Sequence, residues 1–291
     1  MIENEILEKV KSHIFEKHEP ALKTGFYDLD AILSGIEKSS IITVGGRPSM
    51  GKTSFINSII LNLLEQKKKC LYFSLEECMP NIIRRLIPPL TDIECKKITN
   101  GIEALNEQEK NKIENAFFKI AQFDLTIVNT DDGVINIEKI KEKTEEIKPD
   151  YVFIDSLQLI RIPDLETNFV KSDFVKGLND FMYEIKKVAK ENNCMIFITS
   201  QLSRAVEKRG CKMPLLPDIR DCTVAEDISD VILFIYREEY YHFADEEDYF
   251  LNKGKANIIV AKNKYGEVDT IGLLFNDKTM KFSNPIQTNI F

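Results

Sequence analysis

Apolar residues along this chain fall into short runs, separated by longer stretches in which they recur every three or four positions. The clearest runs are Ile41–Val44, Cys70–Phe73, Leu125–Val128, Tyr151–Ile154 and Met195–Thr199. Runs of this length, alternating with amphipathic stretches, predict strands joined by crossover helices and hence a mostly parallel sheet covered on both faces. Val231–Tyr236, Ala256–Ala261 and Thr270–Phe275 are also β-like, but their connections are short. The last two flank Lys264-Tyr265-Gly266-Glu267, which predicts a hairpin and an antiparallel edge. Near the start, Ile6, Leu7, Val10 and Ile14 recur at helical spacing ahead of Pro20. That stripe predicts an amphipathic helix over residues 1–20, serving either as a helix packed on its own domain or as an arm on a neighbouring subunit. No repeat or low-complexity linker divides the rest, so residues 21–291 read as one α/β domain.

Composition sharpens this picture only at its margins. With 291 residues, 43% of them hydrophobic, the chain can bury a substantial core. No run approaches the ~20 apolar residues of a membrane span, and Met1-Ile2-Glu3-Asn4-Glu5 lacks the pattern of a signal peptide, so a cytoplasmic protein with no membrane partner is expected. Six cysteines form no Cys-x-x-Cys pair or Cys/His cluster, which argues against a zinc site and for reduced thiols. The formal charge of −8 argues against a surface coated in cations for nucleic acid. It leaves room for a few basic loops.

The candidate chemistry begins at Gly46-Arg47-Pro48-Ser49-Met50-Gly51-Lys52-Thr53, which fits the P-loop pattern and lies between a predicted strand and a predicted helix. A polyphosphate needs several N–H donors converging on one spot, and a loop that feeds a helix N-terminus supplies them. Gly46, Ser49, Gly51, Lys52, Thr53 and Ser54 are therefore expected to bind ATP, with Lys52 at the β- and γ-phosphates and the Thr53 hydroxyl on Mg²⁺.

In open parallel sheets, ligands sit beyond the carboxyl ends of the strands. Here those ends carry Glu76, Asp155 and Gln201. Asp155 has the character of a carboxylate that holds Mg²⁺, directly or through water. Glu76 is the candidate to orient and deprotonate an attacking water, because that task needs a carboxylate the metal does not already neutralise. Adjacent Glu77 is a rival for it. Gln201 can hydrogen-bond the γ-phosphate or the water and pass the nucleotide state to the segment that follows.

Thr24-Gly25-Phe26-Tyr27-Asp28-Leu29-Asp30, the P-loop, Phe73–Glu76, Ile154–Leu159, Ser200–Arg204 and Phe234–Glu239, in this order and spacing, closely resemble the C-terminal motor domain of the DnaB family of replicative helicases. The resemblance spans roughly residues 22–283, and Arg85, Asp218-Ile219-Arg220, Glu226 and Asp230 also fall at family positions. It implies a RecA-like P-loop NTPase fold and a ring of subunits, expected to be a hexamer, with ATP between neighbours. Channel loops would grip single-stranded DNA for 5′ to 3′ movement. One loop would run from Arg161 through Glu166-Thr167-Asn168 to about Ser172, and the other from Ser203 to about Pro217. The implied DNA-binding residues are Arg204, Lys208, Arg209, Lys212 and Arg220, and Arg237 is implied at the nucleotide. A helicase loader is a further candidate partner.

The sequence departs from the family at three places. Only residues 1–20 precede the motor, where the family has a helical N-terminal domain that forms a collar and contacts primase. Cys222-Thr223 stands where the family has Ser-Gly. The family's late-strand Lys-x-Arg reads Lys262-Asn263-Lys264, which makes Lys264, with Lys262 beside it, the candidate cation supplied to a neighbour's phosphates. The alternative is a RecA-like ATPase that regulates or assists replication or recombination without unwinding.

Overall fold

In this computed structural model the residues described are 22–162, 171–241 and 252–285, together with Leu7, Glu8, Lys11 and Phe15. Those four are helical and exposed, while Ile6, Val10 and Ile14 of the expected stripe lie outside the described residues. No helix among the described residues is long and apolar enough to cross a membrane.

The strands are β1 (Ile41–Gly46), β2 (Cys70–Ser74), β3 (Leu125–Asn129), β4 (Tyr151–Asp155), β5 (Met195–Gln201), β6 (Val231–Tyr236), β7 (Lys255–Asn263), β8 (Thr270–Asn276) and β9 (Lys281–Ser283). They form one sheet in the order β3-β2-β4-β5-β1-β6-β7-β8-β9. The first six in that order run parallel, and β7, β8 and β9 are antiparallel. The fold is thus α/β and RecA-like, with the antiparallel edge expected from the hairpin. Strand β9 is an addition to that expectation, because Lys-Phe-Ser is too short a run to register as a strand by pattern.

The α-helices are α1 (Tyr27–Ile32), α2 (Lys52–Glu65), α3 (Met79–Thr91), α4 (Cys95–Asn100), α5 (Glu107–Gln122), α6 (Ile137–Ile147), α7 (Lys171–Asn192) and α8 (Ala225–Ile228). Side chains alternate across the central strands, so each strand feeds two cores. On one face Tyr72, Phe153 and Phe197 meet Phe55, Ile59 and Leu63 of α2. On the other, Leu71, Val152 and Ile196 meet Phe181, Ile185 and Val188 of α7. Each of these buried side chains contributes roughly 1.5–3 kcal/mol by leaving water. Phe55 stacks on Phe26 at 5.5 Å and meets Phe282 of β9 edge-on at 5.4 Å, which ties the start and the end of the domain to α2.

Double-sided burial explains why the strands read as unbroken apolar runs. It also fixes their carboxyl ends at one edge, where β1 turns into α2 and β4 and β5 stop.

Candidate nucleotide site

That edge carries a cleft of about 720 Å³ lined by Ser49, Gly51, Lys52, Thr53 and Ser54 of the P-loop, with Glu76, Arg85, Asp155, Gln201 and Arg237. Gly51 takes φ +96° at the start of α2, and a Cβ there would come within 3.2 Å of the Phe282 ring. Both the turn and the packing therefore require glycine. Ser49 is left-handed as well, at φ 65°, and its carbonyl accepts a 3.2 Å hydrogen bond from Arg237. The Arg237 guanidinium lies 4.2 Å over the Phe275 ring and pairs with Glu239, so it braces the loop from the end of the neighbouring strand β6.

The Lys52 ammonium donates to the carbonyls of Gly46 at 3.0 Å and Arg47 at 3.4 Å. Burial lowers its pKa from the ordinary lysine value, and the charges of Asp155 and Glu76 oppose that shift. Asp155 is 4% exposed, and its burial is offset by three hydroxyl donors. Thr53 donates at 2.7 Å, Tyr72 at 3.4 Å, and Thr199 donates to the other carboxylate oxygen. The Tyr72 phenol is pushed well above its usual pKa, first by burial and then by the Asp155 charge, so it stays a donor. A hydroxyl and a carboxylate at 2.7 Å suit a hard cation. Among the described residues no group of three or more His, Cys, Asp or Glu could cage a metal. An ion held by Thr53 and Asp155 would complete its shell from water and phosphate oxygens, as Mg²⁺ prefers.

Geometry separates the two adjacent glutamates. Glu77 is taken by Arg85, whose Nε donates to it at 2.6 and 2.8 Å and whose Nη2 donates as well, raising the arginine's pKa. Glu76 is exposed, lines the cleft and has no ion pair among the described residues. Gln201 donates its backbone N–H to Gln158 at 3.0 Å, and its side-chain oxygen accepts from Arg220 at 3.2 Å. Arg220, expected to contact DNA, is thereby held against Gln201 and Asp221 beside the cleft.

Residues 21–284 match the family model described as DnaB-like helicase C terminal domain. The chain belongs to that family. It is 33% identical over 267 residues to "Probable replicative DNA helicase" of Trieres chinensis, covering 90% of this chain and 56% of that protein. It is 31% identical to "Replicative DNA helicase DnaB" of Haemophilus influenzae, covering 96% and 58% respectively. With "Probable plasmid replicative DNA helicase" of Chlamydia psittaci the identity is 34%, covering 90% and 55%. The chain thus spans little more than half the length of these relatives. Among solved structures it superposes on one described as an ATPase domain with a TM-score of 0.86 at 28% identity, covering 97% of this chain and 98% of the other. It also superposes on a DnaB-like replicative helicase, from a study of that helicase's interactions with primase, with a TM-score of 0.85 at 28% identity. That match covers 98% of this chain and 67% of the other.

Within this DnaB-like domain the expected cations differ in their freedom. Arg204 and Lys208 lie exposed on a short 3₁₀ turn, Arg204–Lys208, just past β5. Arg209 is committed to Asp218 at 2.7 Å and to the Met213 carbonyl at 2.8 Å. Lys212 is committed to the carbonyls of Glu207 and Arg209. Most of the other expected DNA loop, residues 163–170, lies outside the described residues, and its last two positions, Lys171 and Ser172, open α7. Lys262 donates to the carbonyls of Glu226 and Asp227 at the end of α8, a helix-capping role rather than a free charge. Lys264 is 64% exposed, 3.6 Å from Asp230, and lies at the opposite end of β6 from the cleft.

Thr199, Tyr72 and Arg47 were missed by sequence reasoning. The first two sit inside apolar runs and read as strand residues, and Arg47 occupies an unspecified position of the P-loop pattern. No signal in a single sequence distinguishes them.

Proposed function

We propose that this DnaB-like domain hydrolyses ATP and drives movement along single-stranded DNA, as the motor of a replicative helicase built as a ring of copies of the chain. One observation carries the reading: β5 ends at the nucleotide cleft and continues directly into the basic turn that bears Arg204 and Lys208. The cleft holds the parts of a hydrolytic site. Backbone N–H groups at the start of α2 and the Lys52 ammonium would bind the phosphates. Mg²⁺, held by Thr53 and Asp155, would neutralise phosphate charge when bound. Glu76, left uncommitted because Arg85 occupies Glu77, would take a proton from the attacking water. Gln201 would sense the γ-phosphate and pass its presence to the segment beyond.

Lys264 lies too far from its own cleft to serve it. In a ring of six it would serve the site of a neighbour, and loading onto DNA would engage a loader. The exposed cations of the 203–217 segment suit sequence-independent phosphate contact, which weakens as salt rises because each contact releases counterions.

The test is ATP turnover with and without single-stranded DNA, together with unwinding of a forked duplex. The reading requires turnover stimulated by single strands, binding that weakens with salt, and unwinding. A chain that binds ATP and assembles, yet neither responds to DNA nor unwinds, would be an accessory ATPase instead.

A further inference from the structure

The P-loop carries a side chain that faces away from the phosphates. Arg47 lies between Gly46 and Pro48, is 6% exposed and does not line the cleft. Its Nε and Nη2 donate to one Glu207 carboxylate oxygen at 2.9 and 2.7 Å, and its Nη1 donates to the Leu202 carbonyl at 2.7 Å. Glu207 belongs to the same 3₁₀ turn as Arg204 and Lys208. The Glu207 carbonyl also accepts from Lys212, and Leu202 N–H donates to the Gly46 carbonyl at 3.4 Å. The basic turn is therefore fastened to the P-loop by a charged fork and by backbone, separately from the Gln201 side chain.

On the nucleotide side, the Arg47 carbonyl is one of the two that receive the Lys52 ammonium. A phosphate that draws Lys52 competes with those carbonyls, and any shift of the Arg47 peptide is delivered to Glu207 through a planar, buried guanidinium. A fork of this kind transmits position better than a single flexible contact, because its geometry fixes both distance and direction.

We infer that Arg47 and Glu207 form a positioning link that couples phosphate occupancy of the P-loop to the placement of the basic segment 203–217. The inference deepens the proposed function, on which it rests for what the segment carries. The link itself can be read with nucleotide alone.

Cys211 provides the reporter, since it is an exposed thiol inside the segment. The full chain is reacted with a thiol reagent with and without a non-hydrolysable ATP analogue and Mg²⁺, and modification of each cysteine is followed by peptide mass spectrometry. In the parent, saturating analogue should change the Cys211 rate by about fivefold or more, the lower end of measured couplings between sites. In Glu207→Gln, which keeps the side chain's shape and removes the charge, that ratio should collapse towards one while the analogue still binds. Arg47→Lys keeps the charge without the fork and should give an intermediate ratio. The link is refuted if Cys211 in the parent ignores saturating analogue, or if Glu207→Gln melts with the parent and keeps its ratio. A parallel assay measures stimulation of parental turnover by a single-stranded oligonucleotide. Failure there removes the DNA-motor reading, while the thiol rates still judge the link.

Discussion

Replacing Lys264 tests whether the site is shared between subunits. The register pairs Asn263 with Val231, the first residue of β6, whereas the cleft lies beyond the last residues of β1 and β5. Six residues of β1 at about 3.3 Å each put roughly 20 Å of sheet between Lys264 and its own phosphates, farther than a lysine side chain reaches. If its charge contributes to hydrolysis, it acts on another copy. Arginine fingers in nucleotide hydrolases supply about 10³–10⁵ in rate, and a lysine lacks the planar fork, so Lys264→Ala should cost near the lower figure. That is about 4 kcal/mol of transition-state stabilisation. Lys264→Arg should raise turnover, and neither change should alter nucleotide affinity much. The decisive assay mixes Lys264→Ala with Glu76→Gln in equal amounts. A head-to-tail interface draws Glu76 from one subunit and the cation from the next, so about one interface in four regains both. Turnover should approach a quarter of the parent's if subunits exchange at random. Mixed assemblies that form but stay inactive would refute the shared site, as would an undiminished Lys264→Ala.

Glu76→Gln should retain ATP and lose about 10²–10⁴ in turnover, while Glu77→Gln, which frees Arg85, should lose less; the reverse ranking in steady-state assays would exchange their roles. Phe55→Ala removes a fully buried ring between Phe26 and Phe282 and should lower stability by about 3–5 kcal/mol in urea unfolding; a loss below about 1 kcal/mol would contradict the packing described. Hydrogen bonds from Lys141 and then Lys187 hold the Glu184 carboxyl down at about 2, so its contribution is present above the unfolded value of about 4.3 and fades as pH falls through 2. Because the group is largely solvated, Glu184→Gln should cost about 1 kcal/mol or less near neutrality and progressively less as pH falls through 2, as thermal melts across pH would reveal.

Much of this architecture is legible in the sequence because each central strand is buried on both faces and so appears as an uninterrupted apolar run. Once the strands are placed, Glu76, Asp155 and Gln201 follow from the rule that chemistry gathers at carboxyl ends, and all three line one cleft. The sequence favours Glu76 over its rival Glu77, but what commits Glu77 elsewhere is Arg85, on another element and eight residues away. The threonine and tyrosine that satisfy Asp155 are β-formers by propensity, so their polar duty is hidden within strands. Loop cations look alike in a sequence. Only coordinates separate exposed Arg204 and Lys208 from Arg209 and Lys212, which are spent on the segment's own fold.

The ring of Phe282 fills the space under Gly51, and its backbone N–H donates to Ser58 of α2 at 3.2 Å. A segment near the end of the described chain is thus the floor on which the phosphate loop rests. Genetic screens for loss of ATP binding should therefore return substitutions at position 282 alongside those in the loop, although that residue never meets the nucleotide.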